Sequence, residues 1–226
     1  MVVRDVMTAN PVAIEPDTTL EEATRLMRER KFRHLPVLRG GKLVGIVTWT
    51  DLMRAAPSPA TSLSVWEIPA LLAKAHVADV MTREVITVGP NTLVEDAAYL
   101  LRKHKIGALP VTDQGSLVGI VTESDLFDAL IYLRGGDIAG VHLSVNLHNG
   151  VEDLVSLARA LQPLFDGSER IALSVRLNGS VRRADLRIAT DSPLLLAEHL
   201  AAAGLEVSHL RFEPAVRDDK TRVGQN

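Results

Sequence analysis

Hydrophobic positions in this chain fall into short β-branched runs separated by stretches in which they recur at helical spacing. Val12 to Ile14 reads as a strand. Asp17-Thr18-Thr19-Leu20-Glu21-Glu22-Ala23 reads as a helix start, because a hydroxyl or carboxylate followed three residues on by Glu satisfies first-turn amides. Ala23, Leu26, Met27 and Arg30 continue at helical spacing. Leu35-Pro36-Val37-Leu38 predicts a strand, Gly40-Gly41 a turn, and the unbroken run Leu43 to Val47 a buried strand. Thr48 to Asp51 opens a closing helix.

The pattern is then repeated. Strands are expected at Val85 to Val88, Leu109 to Thr112 and Leu117 to Val121, helices from Thr92 and Glu123, and a turn at Gln114-Gly115. Leu43-Val44-Gly45-Ile46-Val47-Thr48-Trp49-Thr50-Asp51-Leu52 returns as Leu117-Val118-Gly119-Ile120-Val121-Thr122-Glu123-Ser124-Asp125-Leu126. The copies run back without a gap to Asp5-Val6-Met7-Thr8 and Asp79-Val80-Met81-Thr82. Close to half of the aligned positions are identical, which marks a duplicated unit and predicts a cleft between its halves. Residues 1–56 form the first copy and 77–134 the second. The turn-rich stretch from Ala55 to Ser62 breaks the chain between them, and a connecting helix around Trp66 is expected within the linker 57–76.

From residue 135 the pattern differs. Val141, Leu143, Val145 and Leu147 alternate with polar residues as a half-buried strand. Val151, Leu154, Val155, Ala158, Leu161 and Leu164 make a helical stripe. Ile171 to Leu177 and Ala184 to Ile188 alternate again around the hairpin signal Asn178-Gly179. A helix over Pro193 to Ala203 stops at Gly204, and Leu205, Val207 and Phe212 belong to a last strand. The order βαββαβ predicts a ferredoxin-like sandwich over 135–213. Residues 214–226 read as a disordered tail.

Composition narrows the function classes. The 226 residues are 46% hydrophobic but 4% aromatic, so the cores are aliphatic. A net charge of −3 leaves no electrostatic footprint for nucleic acid or an anionic membrane. With no cysteine there is no thiol catalysis, disulfide or thiolate metal site. The absence of a basic-then-apolar leader and of a long apolar run predicts a cytoplasmic protein. His34, His76, His104, His142, His148, His199 and His209 fall on separate elements, so no metal site is expected. Neither a Walker loop, a Rossmann fingerprint nor a nucleophile elbow occurs, and no catalytic residue or catalytic cofactor is assigned.

The chemistry concentrates in Gly-x-x-Thr-x-x-Asp. A strand ends at Val47 or Val121 and a helix begins, which places Thr48 or Thr122 at the cap and Asp51 or Asp125 on the first turn. A carboxylate there can accept from a vicinal diol, and the helix amides beside it favour phosphate oxygens. That suits a ribonucleotide. The same two residues also make a helix cap that binds nothing.

Met-Thr near the start, Thr-x-x-Glu, Leu-Pro-Val and Gly-Ile-Val-Thr-x-x-Asp, in order and twice, resemble tandem cystathionine-β-synthase (CBS) domains from Val3 to about Leu133. The resemblance implies a pseudo-two-fold module with two clefts that take AMP, ADP, ATP, S-adenosylmethionine or a related adenosyl ligand. Carried over, one cleft would use Thr122 and Asp125 with Thr8, Val12, Phe32, Arg33, His34 and Pro36. The other would use Thr48 and Asp51 with Thr82, Ile86, Ile106, Gly107 and Pro110. Arg33 and His34 in the first stand where the second has Gly107 and Ala108, so the Asp125 cleft is expected to bind phosphate better.

The connector Ser64-Val65-Trp66-Glu67-Ile68, running into Val77-Ala78-Asp79-Val80-Met81, resembles that of the acetoin-utilisation protein B-like subgroup, which appends an ACT domain. The implied ligand turn is Asn146, His148, Asn149, Gly150 and Val151, with Asn149 replacing the usual Pro. The polar sheet face bearing Ser174, Arg176, Arg183, Asp185 and Arg187 is expected to be solvated. These readings together predict a regulatory sensor of an adenosyl ligand that assembles as a homodimer and acts on a further protein. A dimeric adaptor with empty clefts, amino-acid sensing through the ACT-like domain and an acetoin-related enzyme are the alternatives.

Overall fold

The computed structural model describes residues 1–55, 75–164, 170–178, 181–190 and 192–213. The expected Trp66 helix, most of the linker, Gly179 and the tail lie outside the described residues. The chain divides into two compact units, Met1–Phe127 and Asp128–Asn226.

In the first unit each copy contributes a helix, a hairpin and a second helix. Helix α1 (Leu20–Arg30) carries the predicted capping box: Thr19 Oγ1 accepts from Glu22 N at 3.2 Å, and Glu22 reaches back to the Thr19 amide at 3.4 Å. Lys31 ends it in the left-handed region at φ 57°. Strands β2 (His34–Arg39) and β3 (Lys42–Thr48) pair antiparallel around Gly40 and Gly41, whose φ of 56° and 77° suit a tight two-residue turn. Helix α2 (Trp49–Ala55) follows. After the short helix α3 (Val77–Val80), the second copy gives α4 (Val94–His104), β4 (Ala108–Asp113), β5 (Ser116–Thr122) and α5 (Glu123–Leu133). Helix α4 begins two residues after the expected Thr92. Leu93 occupies the cap position of Thr19 and has no acceptor, while the Thr92 hydroxyl accepts from Gly89 N at 3.2 Å instead.

The strands expected at Val12 to Ile14 and Val85 to Val88 are single bridges, Ile14 to Val37 and Val88 to Val111. Ile14 N donates to Pro36 O and Leu38 N to Ile14 O, and Pro11 and Pro16 confine the segment on either side. The ordered leading strand is instead β1 (Thr8–Ala9), and it pairs with β5 of the other copy, Thr8 opposite Ile120. Its counterpart Thr82 bridges Ile46 in the same way.

The cores are therefore exchanged. Val3 and Met7 pack with Val88, Ala97, Leu101, Leu109 and Val121 of the second copy. Val77 and Met81 pack with Leu20, Ala23, Met27, Leu35 and Val47 of the first. Gly45 and Gly119 allow this closeness: a β-carbon at Gly45 would lie 2.5 Å from the Met81 sulfur, and one at Gly119 would fall on that of Met7.

In the second unit β6 (Gly140–Asn146), α6 (Val151–Leu161), β7 (Ile171–Asn178), β8 (Val181–Ile188), α7 (Pro193–Ala202) and β9 (Glu206–Glu213) give the predicted βαββαβ order. The antiparallel sheet runs β7-β8-β6-β9, the ferredoxin-like arrangement. Val141, Leu143, Val145, Leu186 and Ile188 pack with Leu157, Leu196 and Leu200 of the helices, and Gly204 takes φ 73° past the second helix.

Candidate functional site

Both Thr-x-x-Asp signatures fold identically. Thr122 N and Oγ1 donate to Asp125 Oδ2 at 2.7 and 2.8 Å, and Asp125 N returns a longer bond of 3.4 Å to Thr122 Oγ1. Thr48 and Asp51 match this at 2.9, 2.7 and 3.2 Å. The cap reading is thus realised, yet it engages one carboxylate oxygen only. Among the described residues no donor reaches Oδ1 of either Asp. The first helical amide is also taken, Glu123 N by Gly107 O at 3.2 Å and Trp49 N by Arg33 O at 2.9 Å. The second, Ser124 N or Thr50 N, has no partner among the described residues.

Each signature opens onto a cavity. The Asp51 cleft holds about 360 Å³, at the lower end of the roughly 300–1,000 Å³ typical of small-molecule sites, and the Asp125 cleft about 240 Å³, below it. Thr8, Val12, Phe32, Arg33, His34, Thr122 and Asp125 line the first, as the repeat alignment places them. Thr48, Asp51, Thr82, Ile86, Ile106 and Gly107 line the second. Pro36 and Pro110 line neither. Both are buried within their hairpins, opposite Ile46 and Ile120, and their carbonyls accept from Ile14 and Val88.

The expected charge difference between the clefts does not hold. Lys31 joins Arg33 in the first, facing Asp125 and Glu123. Lys105 and Arg54 line the second, facing Asp51 and Glu84. Two cations and two carboxylates stand in each. The signal was present in the sequence: Lys105 is the repeat partner of Lys31, with the same left-handed backbone at φ 55°, and Arg54 lies three residues beyond Asp51 on one helix. His34 and Gly107 line both cavities. Burial, reinforced by the Arg33 charge, holds the His34 imidazole below its ordinary pKa of 6.5 against the opposing pull of Glu123 and Asp51.

In the second unit the turn after β6 is closed on itself. Asn146 Nδ2 donates to Glu206 at 3.0 Å, the His148 ring meets the other Glu206 oxygen at 2.6 Å, and Asn149 N donates to Asp153 at 2.8 Å. Gly150 takes φ 66° and Val151 is exposed. The polar sheet face is not simply solvated. Asp185 is buried, accepts from Ser144 Oγ at 2.7 Å and from Arg176 at 3.1 Å, and has Arg183 and Arg134 at 3.0 and 3.8 Å. Burial raises its pKa, but the Ser144 and Arg176 bonds and the Arg183 charge lower it further, with a net shift below the ordinary 3.8. No group of three metal-ligating side chains occurs among the described residues, and no described helix is long and apolar enough to cross a membrane.

A duplicated α/β unit with exchanged leading segments and two pseudo-equivalent clefts defines a paired ligand-cleft module. The CBS domain model matches residues 3–58 and 77–132. An uncharacterised protein of Methanocaldococcus jannaschii is 37% identical over 158 residues, 58% of this chain and 92% of that protein. The CBS domain-containing protein YhcV of Bacillus subtilis is 32% identical over 124 residues, 55% of this chain and 81% of the relative. The chain belongs to the CBS-domain family. A solved structure of a putative acetoin utilization protein (AcuB) from Vibrio cholerae is 34% identical, covers 59% of this chain and is itself 92% covered, with a TM-score of 0.50. Matches also fall inside much longer enzymes, of which the chain covers 22% to 24%. CBS-domain proteins are generally regulatory, and some enzymes carry such modules.

Proposed function

We propose that this chain is a non-catalytic regulatory protein whose CBS clefts bind an adenine nucleotide or another adenosyl ligand such as S-adenosylmethionine. The observation that carries this reading is the shared construction of the clefts. Each offers a carboxylate oxygen that the cap leaves unengaged, a first-turn amide without a partner, and two cations. The carboxylate suits a ribose diol, and the amide and cations suit phosphate. That CBS-domain proteins are generally regulatory supports the same reading.

The second unit, in this reading, is an ACT-like domain used for assembly. Its candidate amino-acid turn spends its polar side chains on Glu206 and Asp153, which favours assembly over amino-acid capture. Exposed Phe127, Leu130 and Ile131 recur at helical spacing on α5 and supply apolar surface for a homodimer or a regulated partner.

Thermal melts with AMP, ADP, ATP and S-adenosylmethionine test the assignment. A ligand at about 100 times its Kd stabilises the native state by roughly 2.7 kcal/mol. Asp125→Ala reduces that shift, and Asp125→Ala with Asp51→Ala abolishes it. Unchanged melts with all four compounds, or a full shift in the double variant, support the empty-cleft adaptor instead.

A further inference from the structure

One break in the pseudo-two-fold symmetry of the first unit lies between the clefts. Repeat partners carry Arg33-His34 in the first copy and Gly107-Ala108 in the second. A β-carbon at Gly107 would stand 2.9 Å from His34 Nε2 and 3.1 Å from Cε1. The imidazole therefore occupies space that a side chain at 107 would fill. Gly107 makes room, and Ala108 supplies no second ring. One histidine lines both cavities, with Glu123 on the wall of the Asp125 cleft and Asp51 on that of the other. Among the described residues the ring nitrogens of His34 have no hydrogen-bond partner, although the residue is largely enclosed.

We infer that His34 is a recognition group shared by the two clefts, so that a ligand engaging it from one side weakens binding on the other. The inference rests on the adenosyl reading of the clefts. Its physical basis is simple. A neutral imidazole has one donor and one acceptor nitrogen, and its orientation is set by whichever partner it bonds. A ring turned toward a ligand in the Asp125 cleft presents its apolar edge, or its wrong nitrogen, to the Asp51 cleft. The resulting coupling is negative and, being thermodynamic, equal in both directions. Occupancy of one cleft at a time then becomes the favoured state over a range of ligand concentration, and the protein distinguishes low from high ligand with a single kind of site.

Calorimetric titration of the full chain with AMP tests this, using wild type, Asp125→Ala, Asp51→Ala, His34→Ala and His34→Gln. The two Asp variants measure each cleft alone. Wild type is expected to bind a first AMP with the tighter of those affinities and a second at least tenfold more weakly than the remaining cleft binds alone. In His34→Ala the two clefts become independent, and His34→Gln retains part of the coupling. The His34 ring proton resonance moves on AMP addition in both Asp variants, a readout that a purely structural histidine would not give. Two AMP molecules binding to wild type with the single-cleft affinities, or a His34 resonance that responds in only one Asp variant, overturns the shared-wall inference and leaves the adenosyl reading standing. AMP binding to none of the five proteins overturns the shared-wall inference, and the adenosyl reading falls with it only when ADP, ATP and S-adenosylmethionine also leave the melt unchanged.

Discussion

At the residue scale, Thr122 and Asp125 realise the helix cap that stood in the sequence as the alternative to a ligand site. The Asp closes the helix cap with Oδ2, lines the cleft, and among the described residues has no donor on Oδ1. Residue types at three-residue spacing announced the cap, but only the coordinates show that it uses one carboxylate oxygen and leaves the other for the proposed ligand. His34 was legible as a cleft residue, whereas its position on both walls was not, because that depends on what its repeat partner lacks. Its titration has a defined sign. The folded pKa lies below 6.5, so between the folded value and 6.5 the unfolded chain binds more protons. The contribution of His34 to stability is complete above pH 6.5 and is lost as pH falls from there through the folded pKa. Arg33 opposes the protonated ring, and Glu123 and Asp51 favour it. Melts of the first unit between pH 7.5 and 5 are expected to fall less steeply in His34→Gln than in wild type. Parallel slopes would show that the ring titrates as it does in the unfolded chain.

At the element scale, the Asp-Val-Met-Thr sequence explains itself once the copies are seen to exchange segments. Asp5 and Asp79 accept from the amides of Val2 and His76 at 2.9 and 3.0 Å and close the leading turns. Met7 and Met81 lie over Gly119 and Gly45, and Thr8 and Thr82 pair with Ile120 and Ile46 of the opposite copy. Periodicity found the helices and hairpins because each buries its own stripe. It could not find the exchange, since a two-residue strand leaves no period, and it lengthened the single bridges at Ile14 and Val88 into strands. The exchange makes a test of tight packing. Gly119→Val places a branched side chain against the Met7 sulfur and the Thr8 carbonyl, and the first unit should lose about 1–3 kcal/mol in urea unfolding. Met7→Ala opens space there, so the double variant is expected to lose less than the sum of the single changes. Strict additivity would mean that the glycine is tolerated for another reason.

At the scale of the molecule, helix α5 is the segment through which the proposed signal would have to pass, since the chain crosses from one unit to the other within it. Its first turn, Glu123 to Asp125, lines a cleft of the first unit, and its last residues belong to the second. Immediately beyond it Arg134 stands 3.8 Å from the buried Asp185, Gly136 N donates to Ile131 O at 2.7 Å, and Gly135 packs on Ala172 and Arg187. Residues just past the helix thus contact the sheet of the second unit, and the helix start carries the cap of the proposed ligand cleft. A helix transmits displacement along its axis because its backbone hydrogen bonds resist stretching, so rigid elements of this kind are suited to couple sites. If the clefts sense an adenosyl ligand and the second unit reads the result, AMP should slow amide exchange from the first turn of α5 through residues 131–138. Asp125→Ala should remove the effect at both ends. Hydrogen exchange followed by mass spectrometry resolves these segments. Protection that stops at Phe127 would confine the response to the clefts and disconnect the second unit from the ligand.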